Sequence, residues 1–268
     1  MLVCLYARQS MNMLVLKMSV VPLVIAVVSL AGRRWGTHVA GLLSGFPVVG
    51  GPITVFIAAE QGLPFGTQAA IAAIMSVTCL LSFNVAYSWI CRRHGWPQSL
   101  VLSTLVWAAV AVCLAQLPMT WPVAVSVTVA ALLLAPYLFA PAQSGRPAAR
   151  SGRDLPMRMG TGAGLTLLIT AIAAHLGPTW SGMIAAFPII GLVLVLFTHI
   201  SQGAGPVAFL MRGNVQGLYS FVAFFSMLVW VWPHGSLWAG VLLAIPAAFA
   251  AQGVVQAAGW CRRRTAVR

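Results

Sequence analysis

The chain has 268 residues, 60% of them hydrophobic and 6% charged, with a formal net charge of +13 and a mean hydropathy of +0.95. No aqueous domain of that size could clothe such a chain in polar surface, which excludes a soluble enzyme or binding module. The 15 Lys and Arg stand singly or in twos and threes between apolar runs, so the charge encodes membrane topology and attracts lipid headgroups; it is not a nucleic-acid footprint.

A membrane helix needs about 20 apolar residues. In chain order the sequence predicts nine, at 13–32, 38–59, 67–90, 98–117, 121–141, 159–176, 179–200, 207–232 and 237–259. The runs are apolar throughout, without the alternation a β-barrel needs, so the fold class is an all-α polytopic transmembrane bundle. Residues 1–12 stand apart. Arg8 and Lys17 mark either a tenth, interfacial segment or a native start at Met11 or Met13. Arg33-Arg34 follows the first run where a signal peptide would carry a small-residue cleavage site. Arg33-Arg34, Arg92-Arg93, the 142–158 linker and Arg262–Arg264 fall on one side, and loops without Lys or Arg fall on the other. The positive-inside rule then sets the C-terminus in the cytoplasm and the N-terminus outside, in a bacterial inner membrane.

The chain also repeats itself. Residues 36–62 align without a gap to 177–203, with 8 of 27 positions identical: Gly36, Gly41, Phe46, Pro47, Gly50, Phe56, Gln61 and Gly62. Gly36 lies at a cytoplasmic turn and Gly177 at an outer one, so the copies run in opposite directions. The expected architecture is 4+1+4: a four-helix repeat over 1–120, a connecting helix at 121–141, a cytoplasmic linker at 142–158, and an inverted four-helix repeat over 159–268.

Each copy centres on a Phe-Pro inside its second span. Pro47 lies about 15 Å deep at 1.5 Å per residue, near the midplane. Proline removes a helical hydrogen bond, and in lipid the freed carbonyl needs another partner. With Gly50, Gly51 and Pro52, the sequence predicts irregular backbone over 47–52. Gly41 with Gly45, and Gly182 with Ala186, are small pairs that let helices approach closely. Inverted broken helices meeting at the midplane form substrate sites in secondary transporters. The expected site therefore comprises Phe46, Pro47, Gly50, Gly51, Phe187, Pro188 and Gly191, with Asn84 and Asn214 as polar groups able to line it. Either proline alone could also be a packing kink.

Only two carboxylates exist, Glu60 and Asp154. Asp154 reads as an ion partner among arginines. Glu60 ends the second span and is either a proton-coupling group, with His199 as its imidazole counterpart, or an interfacial carboxylate facing water. Arg212 either snorkels to the headgroups or attracts anions at the cytoplasmic mouth. Trp35, Trp89, Trp96, Trp121, Trp180, Trp230, Trp232 and Trp260 fit an interfacial belt. The five cysteines form no CxxC and imply neither a disulfide framework nor a zinc site. There is no HExxH or paired intramembrane Asp, and Ser44 lacks the GxSG context, so the chain is not expected to be an enzyme or to carry a cofactor or metal.

The segments VAGLLSGFPVVGG and WSGMIAAFPIIGLVLVLFTHISQG resemble GlpM-like small bacterial membrane proteins, which look like single four-helix units with a Gly-x-x-x-x-Phe-Pro core. The resemblance falls on Gly41, Phe46, Pro47, Gly182, Phe187, Pro188 and His199, and implies two inverted GlpM-like units in one chain. Ala58 stands where the second copy has His199. More loosely, fused inverted copies resemble drug/metabolite-type carriers in architecture.

The expected function is a secondary transporter, an exporter of a small or amphipathic solute working by alternating access. Its rivals are a lipid or lipid-linked-sugar translocase and a non-transporting scaffold of an envelope assembly. Expected partners are a small-molecule or lipid substrate, membrane lipids and, as an option, a second copy in a homodimer; nucleic acid is not among them.

Overall fold

The structure is a computed structural model. It describes residues 21–140, 154–175 and 189–265, with side chains over 21–140, 154–168 and 189–259. Among the described residues all regular structure is helical. Helix α1 covers 21–35 of the described chain. It is followed by α2 (Thr37–Ser44), α3 (Gly50–Gln61), α4 (Leu63–Ile90), α5 (Trp96–Leu114), α6 (Trp121–Leu138), α7 (Leu155–His175), α8 (Ile189–Gln202), α9 (Ala204–Val231) and α10 (Leu237–Thr265). Among the described residues five helices are long and apolar enough to cross a membrane: α4, α5, α6, α9 and the Leu237–Gly259 stretch of α10. The chain is a multi-pass membrane protein.

Helices α4 and α5 start earlier than the hydrophobic runs predict, because Pro64 and Pro97 sit in their first turns and do not precede them; α6 starts at Trp121 as expected, with Pro122 in its first turn. A proline there loses no helical bond and brings a φ already suited to the helix. The expected span 38–59 is two short helices, α2 and α3, with non-helical backbone at 45–49 between them. That break starts and ends earlier than the expected 47–52. Gly50 and Gly51 are helical, and Pro52 lies in the first turn of α3, where its missing N–H is tolerated.

Helix α4 lies against α3, α5, α6 and α9, and α9 lies against α2, α4, α6, α8 and α10. These two form the centre of the bundle. Their most apolar stretches are 50% and 61% buried, against 28% or less for α5, α6 and α10, whose outward faces are left for lipid. The central pair runs antiparallel: Gly66, near the start of α4, lies against Trp232 just past the end of α9, while Asn84 near the end of α4 bonds Asn214 in the first half of α9.

Antiparallel packing sorts the loops into two ends. Arg33, Arg92, Arg93, Asp154, Arg158, His199 and Arg212 gather at one. Contacts crossing that end include Arg33–Asp154, Tyr87–His199, Trp89 Nε1 to Leu138 O and Arg212 to Ala140 O. The other end holds 60–66, 115–120 and 232–236, which contain no Lys or Arg.

Element boundaries repeat as the residues do. Helices α4 and α9 each have 28 residues, and their starts are offset by 141. The starts of α5 and α10 and the ends of α3 and α8 share that offset. Gly62 (φ 94°) and Gly203 (φ 78°), also 141 apart, make the turns into α4 and α9 in a left-handed conformation that favours glycine.

Candidate functional site: a broken helix and its polar partners

At the break the backbone ladder shortens. Gly45 N–H reaches Gly41 O and Leu42 O, Phe46 N–H reaches Leu43 O, and regular spacing resumes with Gly51 N–H to Pro47 O at 2.9 Å. Pro47 is buried and Phe46 half-buried, its ring 6.0 Å from that of Phe249.

The short helix α2 is held by backbone-to-backbone packing on α9. A Cβ at Gly41 would collide with Leu210 O, at Gly45 with Asn214 O, at Gly213 with His38 O, and at Gly217 with Leu42 O. Two Gly-x-x-x-Gly faces thus interlock. The expected mobility of a two-turn helix is offset by its close fit, since packing and not hydrophobicity drives association in lipid. The Gly213-x-x-x-Gly217 face was missed at the sequence level, although its spacing is the same signal read at Gly41 and Gly45.

A polar chain crosses this contact. Asn84 Nδ2 donates to Asn214 Oδ1 at 2.8 Å. Asn214 Nδ2 donates to Ser44 Oγ at 2.9 Å, and Ser44 Oγ donates to Gly41 O at 2.6 Å. Both asparagines are buried. At 1.5 Å per residue the chain lies roughly 10–15 Å from the basic end, close to the depth of the break. It joins α4, α9 and the last turn of α2. Ser44 was weighed at the sequence level only as a nucleophile and rejected; its role here is to relay a hydrogen bond.

On the α3 side the space is filled. A Cβ on Gly50 would meet Phe221 at 3.4 Å and one on Gly51 would meet Phe224 at 3.2 Å. Along α9, Phe221 and Phe225 lie tilted at a centroid distance of 4.5 Å, and Phe224 meets Phe225 edge-on at 5.3 Å. Gly191 is half-buried in the first turn of α8. Phe187 and Pro188 lie outside the described residues.

Glu60 is half-exposed in the last turn of α3, at the neutral end. His199 is at the opposite end, its Nδ1 2.9 Å from Tyr87 Oη, with the rings edge-on at 5.8 Å. The two expected coupling groups are thus separated by most of the length of α4. Tyr87, fully buried, is the unforeseen partner of His199. Arg212 donates from Nη2 to Ala140 O at 2.9 Å, while its buried Nε has no partner among the described residues. It clasps the segment after α6, where the helix dipole favours a cation.

Asp154 is more than a solvated counterion. Its Oδ1 accepts from Arg33 Nη2 at 2.6 Å, and its Oδ2 accepts from Arg158 Nε and Nη2 at 2.9 and 2.7 Å. Arg158 also lies 5.4 Å above the Phe197 ring. The trio ties α1 to α7 beside a cavity of about 30 Å³. Of the tryptophans, Trp35, Trp89, Trp96, Trp121 and Trp230 are exposed as a belt requires. Trp232 is a correction: it is buried, and its Nε1 donates to Leu237 O at 3.3 Å, because the turn between α9 and α10 folds back over it. Trp180 and the Trp260 side chain lie outside the described residues. Among the described residues no cluster of three His, Cys, Asp or Glu could hold a metal.

Comparison with protein-family models, with curated proteins and with solved structures found no match. Composition and fold therefore define a class, the multi-pass helical membrane protein, and the site carries the rest.

Proposed function

We propose that the chain is an inner-membrane secondary transporter, exporting a small or amphipathic solute by alternating access between two inverted four-helix repeats, with its C-terminus in the cytoplasm. The observation that carries this reading is the broken second span, whose last α2 turn is tied through Ser44 and Asn214 to Asn84. A half-helix end beside buried polar groups is how transporters present backbone and amide groups to a solute. The inverted 4+1+4 arrangement draws support from the antiparallel α4 and α9 and from boundaries offset by 141 residues. Reciprocal neighbours add to it: α3 with α4 answers α8 with α9, α4 with α5 answers α9 with α10, and α5 with α8 answers α10 with α3. Helix α6 has no counterpart and acts as the connecting helix. The filled space at Gly50 and Gly51 corresponds to an occluded state of such a carrier.

The test is flux. Metabolites that accumulate in cells lacking the protein identify the solute, and Pro47→Ala and Pro188→Ala are then assayed in proteoliposomes. Each variant is expected to fold and to transport at least several-fold more slowly; normal flux in both would sink the reading.

One observation favours the scaffold instead: Phe221, Phe224 and Phe225 close the interior beside the break. Cysteine placed at Ser44 separates the two. In a carrier it becomes accessible to a water-soluble thiol reagent during turnover; in a scaffold it stays protected.

A further inference from the structure

The turn between α4 and α5 carries two cations that no side-chain carboxylate of this chain neutralises. Arg92 and Arg93 are both exposed there. The chain has two side-chain carboxylates in all. Asp154 has both oxygens engaged by Arg33 and Arg158, and Glu60 stands at the opposite end of the bundle. Among the described residues neither guanidinium of the turn donates a hydrogen bond; Arg92 lies 5.6 Å above the ring of Trp89. The dipole of α4 favours cations at this turn, yet it takes up none of their side-chain N–H groups.

The surface beside these cations is pre-arranged. Trp89 is half exposed, yet its Nε1 donates to Leu138 O at 2.8 Å, which fixes the indole against the end of α6. The fixed ring in turn holds Arg92 on its face. From that contact Leu138, Tyr137 and Leu134, 53%, 79% and 57% exposed, run one turn back along α6 toward the membrane interior. Free guanidinium groups and an apolar track thus meet at the level where a phospholipid joins its headgroup to its acyl chains.

We propose that this surface binds one anionic phospholipid, a phosphodiester such as phosphatidylglycerol. Arg92 and Arg93 donate to its phosphate, whose oxygens match the fork of a guanidinium. Leu134 and the Tyr137 ring lie along an acyl chain. The lipid spans the end of α4, the start of α5 and the end of α6, and so braces α6, whose apolar stretch is only 22% buried by the rest of the protein. Free phosphate would satisfy the arginines but leave the apolar track uncovered, so the occupant is a lipid. The site does not depend on the transport reading, since a scaffold could use it equally.

Thermal unfolding of the delipidated full-length protein in detergent tests it, with phosphatidylglycerol or phosphatidylcholine of the same acyl chains added in steps. The wild type is expected to gain roughly 2–8 °C with phosphatidylglycerol, saturably, and little with phosphatidylcholine. Arg92→Gln/Arg93→Gln should raise the half-saturating lipid concentration roughly tenfold, with the midpoint in phosphatidylcholine unchanged. Trp89→Phe keeps an aromatic face but loses the bond to Leu138 O, and should raise that concentration several-fold. Arg34→Gln removes an exposed cation from the same end of the bundle and should respond as the wild type does. The proposal is overturned if the two lipids act alike, if inorganic phosphate alone gives the same rise, or if the double variant keeps the full response. It is equally overturned if Arg34→Gln weakens the response as much as the double variant, because the attraction would then belong to the whole basic end and not to this surface.

Discussion

Asn84 and Asn214, 130 residues apart, share a 2.8 Å hydrogen bond at the crossing of the two central helices. It couples the two halves of the chain where the second span is broken, because Asn214, accepting from Asn84 through Oδ1, donates from Nδ2 to Ser44 Oγ. Removing one partner strands the others. Asn214→Leu should destabilise the protein by about 0.6–2 kcal/mol for each of two lost bonds. The double variant Asn84→Leu/Asn214→Leu should be less damaged than the sum of the singles, since it leaves one fewer orphaned amide. Thermal unfolding of the four proteins in detergent measures this coupling.

The interlocked glycines make a sharper steric prediction. A side chain at Gly217 meets Leu42 O and the Gly45 backbone, neither of which can yield as a flexible side chain would. Gly217→Val should cost about 1–3 kcal/mol or more. Gly164→Ala, where a Cβ meets nothing within 4 Å, is the control and should unfold as the wild type does.

Topology is open to thiol labelling. After Cys4, Cys113 and Cys261 are replaced by Ser, Gln61→Cys should react with an impermeant maleimide from outside intact cells. Arg93→Cys should react only after the membrane is opened. The native Cys91 is not expected to interfere. It is buried, and burial pushes its thiol up from the usual value to about 11. At neutral pH its reactive thiolate is then roughly a hundredfold scarcer than that of an ordinary cysteine, and labelling of the parent protein should rise only at strongly alkaline pH.

Proton coupling is tested at the two ends separately. If Glu60 couples transport, Glu60→Gln should abolish dependence on a pH gradient in proteoliposomes while leaving exchange without a gradient intact. Tyr87→Phe removes the hydroxyl beside His199 Nδ1. It should weaken gradient-driven flux severalfold if His199 takes part, and leave it unchanged if Glu60 acts alone.

The membrane class, the helical content and the existence of a break at Phe46-Pro47 were legible in the sequence because each rests on local chemistry. Apolar length, proline's missing N–H and glycine's freedom do not depend on the rest of the chain. The 141-residue offset was equally visible, since it compares residues with residues. Some local signals were passed over: Gly213 and Gly217 have the spacing noted at Gly41 and Gly45, and a proline two residues into a hydrophobic run starts a helix as readily as it ends one.

Tertiary structure alone decided which distant groups meet. Nothing in sequence order pairs Asp154 with Arg33, Tyr87 with His199, Arg212 with the Ala140 carbonyl, or Asn84 with Asn214. Those pairings follow from the register of antiparallel helices, and the register is set by how closely backbones approach at the glycines. A shift of one turn, about 5.4 Å, would leave the same hydrophobic pattern satisfied in lipid and every one of these polar groups without its partner.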